Sequence, residues 1–355
     1  MLLQEINTDI LRDIASSLAS SPNTTSIDIL SLAQTCRSLY AVARHFVPSS
    51  LYLEIPSSKY QLLKRMLNEN PTYGLGVRSL NIQASKTTQE STRTQVFEFL
   101  QKLPNLTTLF ALDPKFSVRL ASLILSPELQ FRTSLQKLLL GDRDLTSREL
   151  LDITRLPHLQ HLVVRLMTDL DDHKEDEQPP IQSSNSLQHL KFRGCQIRSQ
   201  TLSKILSSAN SLQTLSCTAP LHGTITKSML AGEISIAAKF SPEKILRCLM
   251  LVSRTLVNLG MHTNGQEWAG HDETRLNLSE FTALRSISAS AEIFLPPLLL
   301  GISRDGLYRL LPPSLRNLKV SVIAQLQCPS ILRLLTLLTN QRTSVHFWIQ
   351  RWDIL

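Results

Sequence analysis

Several things are scarce in this 355-residue chain, and each scarcity removes a class of protein. Aromatic residues make up 5% of it and glycines number 11, which argues against an irregular enzyme core and for repetitive aliphatic packing. The five cysteines, Cys36, Cys195, Cys217, Cys248 and Cys328, are odd in number, scattered, and form no CxxC pair. That pattern speaks against both a disulfide framework and a zinc site, and fits a reducing compartment. No run of apolar residues is long enough for a membrane span, because the richest one, ILRCLMLVSRTLVNL, is broken by Arg247 and Arg254. The opening MLLQEINTD reaches an acidic residue within five positions and has no basic region of the secretory kind. A soluble chain of the cytoplasm, the nucleus or both is expected, without a membrane partner.

Catalytic signatures are missing as well. There is no Gly-x-Ser-x-Gly elbow, no Gly-rich Lys-Ser/Thr phosphate loop, no His-Glu-x-x-His and no dinucleotide fingerprint, so neither catalysis nor a cofactor is expected. The segment GMHTNGQEWAGHDE holds His262, His271, Asp272 and Glu273, but in no metal-ligand spacing; Trp268 reads there as a contact anchor on an exposed loop. The formal charge of +8 is spread along the chain rather than gathered in a stripe, which argues against a nucleic-acid partner.

What the chain has is leucine in a recurring phrase. VRSLNI, LTTLFA, LQKLLL, LQHLVV, LQHLKF, LQTLSC, LVNLGM, LRSISA and LRNLKV begin at residues 77, 106, 135, 159, 187, 212, 256, 284 and 315. Their spacings are 29, 29, 24, 28, 25, 44, 28 and 31 residues, and the 44-residue interval predicts an insertion. Leu187, Leu190, Phe192, Cys195 and Ile197 match L-x-x-L-x-L-x-x-N/C-x-L, the long form of the leucine-rich repeat. Helix signals lie between phrases: Thr146 and Glu149 are spaced as a capping box, and Ser241 precedes Pro242 as N-cap before a first-turn proline. The fold class is therefore α/β, with stacked strand-and-helix units forming an irregular leucine-rich-repeat solenoid of horseshoe type. SVHFWI, from Ser344, predicts a last strand, with Trp348 and Trp352 over the open end.

In each phrase the first, fourth and sixth places face the core, leaving the third, fifth and seventh on the concave strand face. That face carries Lys137, His161, Arg165, His189, Lys191, Arg193 and His262, followed by small polar residues. Lys137, Arg165, Lys191 and Arg193 are candidates to receive an acidic or phosphorylated segment of a protein substrate. The alternative is an ordinary solvated charged face. DLDDHKEDEQPP, from Asp169 to Pro180, reads as a disordered acidic insertion able to cover that face transiently.

Ahead of the array stands a head of different character. Ile10, Leu11, Ile14 and Leu18 form an apolar stripe after Thr8, a polar loop spans residues 20–26, and SLAQTCRSLYAVA gathers Leu32, Cys36, Leu39 and Tyr40 on one helical face. LYLEI, from Leu51, then alternates as a strand. The succession INTDILRDIASSL and IDILSLAQTCRSLYAVARHFVPSSLYLEI resembles an F-box followed by leucine-rich repeats, an organisation common in fungal F-box proteins. The resemblance implies an F-box-like head over residues 1–55 and a repeat array over 56–355. It further implies docking of the head on a Skp-family adaptor and a cullin scaffold, and substrate on the repeats, in an SCF-type ubiquitin ligase that this non-catalytic chain would serve. The family's Leu-Pro-x-Glu-Ile-Leu opening corresponds to Ile6, Asn7, Thr8, Asp9, Ile10 and Leu11, with Asn7 in place of the proline. Ile14, Leu18, Leu30, Leu32, Cys36, Arg37, Leu39 and Tyr40 take the family's remaining adaptor-contact places. Two alternatives stay open: a head that merely caps the solenoid, and a repeat scaffold that binds proteins without any ligase.

Overall fold

The computed structural model describes residues 8–20, 31, 35, 37–43, 49–84, 91–111, 120–141, 145–167, 186–218, 225–227, 234–236, 241–262, 274–290, 293–294, 307–321 and 344–345. The chain divides into two compact units, Met1–Asp142 with Leu156–Leu159 and Arg143–Arg155 with Gln160–Leu355.

In the first unit a helix over Thr8–Ser20 meets a shorter one over Arg37–Ala43. Leu11 and Ala15 on one side and Leu39 and Val42 on the other close into a small core. The strands β1 (Ser50–Ile55), β2 (Ser79–Ala84), β3 (Thr108–Ala111) and β4 (Lys137–Leu140) follow as a parallel ladder. Residues alternate across a strand, so equal register stacks equal places of the phrase. Leu51, Leu80, Leu109 and Leu138 accordingly form one buried row. Although β1 lies inside the predicted head, it is the first strand of this ladder.

Helices return the chain from strand to strand. The Ser58–Glu69 helix starts where the Ser57 hydroxyl accepts from the Tyr60 N–H at 3.1 Å, and it buries Tyr60, Leu63 and Met66. Tyr60 meets Phe99 of the Ser91–Gln101 helix edge to face, with ring centroids 5.5 Å apart. At Gly74, in a short turn over Pro71–Gly76, any Cβ would stand 1.9 Å from the Lys102 carbonyl oxygen, so only glycine fits.

The second unit repeats the scheme with β5 (His161–Arg165), β6 (His189–Arg193), β7 (Thr214–Thr218), β10 (Asn258–His262), β11 (Ser286–Ser290), β12 (Asn317–Ser321) and β13 (Ser344–Val345), all parallel and paired in that order. One hydrogen-bond pattern recurs at the five steps from β5 to β12. The carbonyl in the second place of a phrase accepts from the second and third N–H groups of the next, as Gln160 does from Gln188 and His189, and Gln213 from Val257 and Asn258. The expected capping box is formed at the Ser147–Thr154 helix, Thr146 and Glu149 exchanging bonds of 3.0 and 3.2 Å. The Pro242–Met250 helix begins at the expected Ser241 cap.

The 44-residue interval adds no strand to the ladder, because β7 pairs directly with β10. It holds an antiparallel pair, β8 (Ile225–Lys227) with β9 (Ile234–Ile236), and the Pro242–Met250 helix. Cys248 of that helix donates its S–H to the Ser199 carbonyl at 3.2 Å. Leu166 and Gly194 hold the eighth place of successive phrases, and both turn with positive φ, 65° and 61°. One parallel strand per phrase, with helices between strands where the connections are described, makes this an α/β architecture of the leucine-rich-repeat kind.

Candidate functional site

Two surfaces carry most of the residues singled out in the sequence, one in each unit. On the head, Ile10 and Ile14 are one helical turn apart and remain 53% and 42% exposed. Their neighbours Leu11 and Ala15 point the other way, into the core with Leu39 and Val42. This corrects the reading of Leu11 and Leu39 as adaptor-facing: both are 2% exposed and have no surface left to offer. The cause is the short second helix, whose apolar side closes on the first.

Tyr40 also departs from expectation. Its hydroxyl donates to Glu69 Oε2 at 2.7 Å while the Arg65 guanidinium lies 4.8 Å from its ring centroid, so the side chain is engaged by the Ser58–Glu69 helix. Burial, and next the bond to Glu69, raises its pKa above 10.0. Arg37 is exposed. Leu18 lies in the Thr8–Ser20 helix, but its side chain is outside the described residues, as are Ile6, Asn7, Leu30, Leu32 and Cys36.

The second surface is the face of the second unit's ladder turned away from its core. Burial alternates as predicted along β5 and β6: Leu162 and Val164 are buried between His161, Val163 and Arg165, and Leu190 and Phe192 between His189, Lys191 and Arg193. Parallel register puts His161 beside His189, Val163 beside Lys191 and Arg165 beside Arg193. The two imidazoles stack with centroids 4.2 Å apart and planes 7° from parallel. Burial, and then the Lys191 ammonium, lowers the pKa of His189; burial, and then Lys319, lowers that of His262. A stack of this kind suits neutral rings, since two imidazolium charges at that distance would repel.

Lys137 is exposed on β4 and belongs to the first unit. Of the four cations expected to act together, the second unit therefore gathers Arg165, Lys191 and Arg193. Trp268 and the acidic run 169–180 lie outside the described residues. Two of the presumed open positions are covered: Gly141 follows the end of β4 and is buried, and Ser290 is 5% exposed. Lys319 escaped the sequence reading, although LRNLKV places it fifth in its phrase, the register place of Lys191.

Beneath this face lie three free, buried thiols, Cys195, Cys217 and Cys248. Cys195 donates to the Val164 carbonyl at 3.4 Å, joining one turn of the ladder to the next. Burial pushes the Cys217 thiol up to about 12. Among the described residues no cluster of histidine, cysteine or carboxylate side chains is placed to hold a metal ion, and no helix is long and apolar enough to cross a membrane.

No protein-family model and no curated protein matches the chain. Among solved structures it is similar, at 13% identity and a TM-score of 0.30, to TLR13 in its crystal structure with ssRNA13. The likeness covers 78% of this chain and 40% of that one, so the chain spans well under half of that protein's length.

Proposed function

We propose that this chain is a recognition subunit without catalytic activity of its own. The strand face of the repeats holds an acidic or phosphorylated segment of a protein substrate, and the F-box-like head docks a Skp-family adaptor on the cullin scaffold of an SCF-type ubiquitin ligase. The observation that carries the adaptor half is the exposed pair Ile10 and Ile14, one turn apart on a helix whose other side is already committed to the core. Two exposed isoleucines on one helical face make an apolar contact for a partner helix. Transfer of ubiquitin belongs to the ligase, to which this chain contributes proximity and orientation of a substrate lysine. Such complexes work in the cytoplasm and the nucleus.

The test is co-purification of the full chain with the adaptor, comparing wild type with Ile10→Asp, Ile14→Asp. Both positions are exposed, so the double variant is expected to keep its melting temperature and lose the adaptor. A folded wild type that captures no adaptor overturns the ligase reading. A second reading, a repeat scaffold without ligase, is favoured by the inward-facing Leu11 and Leu39 and by the Tyr40–Glu69 bond, which make the head resemble a cap.

A further inference from the structure

The strand face of the second unit has a pattern that neither its repeat phrases nor its charge count announces. The register Lys191–Ser216–Gly260–Ser288–Lys319 runs straight across five neighbouring strands, β6, β7, β10, β11 and β12. A cation stands at each end of this row. Lys191 has His189 and Arg193 beside it on its own strand, and Lys319 lies close enough to His262 to oppose that ring's protonation.

Between the ends the central row and most of its flanks carry small side chains, Thr214, Ser216, Thr218, Gly260, Ser286 and Ser288, with Asn258 and His262 on either side of Gly260. The floor is closed as well as low: a Cβ on Gly260 would lie 2.9 Å from Ser216 Oγ and 3.2 Å from Ser216 Cβ. Across all the places β5, β6, β7, β10, β11 and β12 turn outward there is neither an aspartate nor a glutamate, and no phenylalanine, tyrosine or tryptophan.

We infer that this row is a two-post site for an extended polypeptide carrying two phosphate groups about six residues apart, one held at Lys191 with Arg193 and the other at Lys319. The inference rests on the receptor reading of this face and names its substrate class. Four inter-strand steps of about 4.8 Å separate the posts by about 19 Å, and an extended chain rising about 3.3 Å per residue covers that in about six residues. The small floor admits a peptide backbone lying across the strands, and its hydroxyls offer hydrogen bonds to peptide groups. Charge complementarity selects the occupant: the outward places of these strands carry cations and no carboxylate, which favours an anionic segment. Nucleic acid fits less well, because single strands bind along a series of aromatic platforms, whereas the outward places of these strands offer rings only at the stacked His161–His189 pair and at His262.

The experiment measures binding of the full chain, at physiological salt, to Gly-Ser peptides with phosphoserines spaced by six, by two, or present singly, and to a single-stranded RNA of similar length. The expected result is at least tenfold tighter binding at spacing six than for the single phosphate. Lys319→Glu should erase that gain while leaving the single-phosphate affinity, and Ser288→Trp should weaken the long peptide alone. Unchanged melting temperatures confirm that the variants fold. Affinity that ignores spacing, or that survives Lys319→Glu, overturns the two-post site even when Lys191→Glu still abolishes phosphopeptide binding and so upholds the receptor face. Failure of every phosphopeptide to bind overturns both, and RNA binding tighter than any peptide replaces the inference with a nucleic-acid face.

Discussion

The two units obey one rule inside and different rules outside. Each stacks leucine on leucine through a parallel ladder, Leu80 on Leu109 in the first and Leu190 on Leu215 in the second. Outward, the first unit presents Tyr52 and Glu54 on β1, Phe110 on β3 and Leu139 on β4, a mixed face on which the Tyr52 hydroxyl donates to Gln83 Oε1 at 2.5 Å. On the second unit the outward places of β6, β7, β10, β11 and β12 hold cations, small hydroxyls and asparagine, with no carboxylate among them. Burial constrains the inward places alike in every repeat; the outward ones are left to differ, and selection for a ligand has somewhere to act.

That contrast can be broken, beginning where the effect is largest. Phe99→Ala in the first unit should cost about 3–5 kcal/mol and Leu215→Ala in the second about 2–5 kcal/mol, read from urea unfolding. An outward substitution that destabilises as much would end the distinction between the two kinds of place. Lys191→Glu with Arg193→Glu should then weaken phosphopeptide binding at least tenfold, about 1.4 kcal/mol, with the unfolding midpoint nearly unchanged. Glu54→Lys on the first unit should leave that binding alone. Equal losses from both would show general charge attraction rather than a site.

Smaller effects sharpen the picture. Thr146→Ala removes the acceptor for the Glu149 N–H and should lower stability by about 1 kcal/mol, with Thr146→Ser restoring most of it. Cys217 should resist alkylation at pH 8 until the chain unfolds, since it is buried and its thiol is pushed up to about 12. For His189, whose pKa is lowered in the folded chain, the unfolded state binds more protons below about pH 6.5. Its contribution to stability is therefore complete above that pH and is lost as pH falls through the lowered value. Unfolding midpoints compared between pH 7.5 and 5.5 should fall less in His189→Gln than in wild type.

Much of this could be read before any coordinates. The places of the nine ladder strands over residues 77–321, the Thr146 and Ser241 caps and the insertion in the 44-residue interval all rest on local signals: period-two alternation, a hydroxyl three residues before its N–H partner, a broken repeat spacing. The head was harder. Ile10 and Leu11 are equally apolar neighbours, and periodicity alone gives a stripe without saying which edge of it a second helix will cover.

By itself, then, the chain of residues determined the period of the ladder and which side of each strand goes inward, because a buried row needs an apolar residue at every equivalent place. Tertiary structure alone decided that Leu11 and Leu39 are interior while Ile10 and Ile14 face out, that Tyr40 answers to Glu69, and that Lys191 and Lys319 end one row. These are relations between residues 28 to 128 positions apart, and they follow from how the elements pack and register rather than from any local preference.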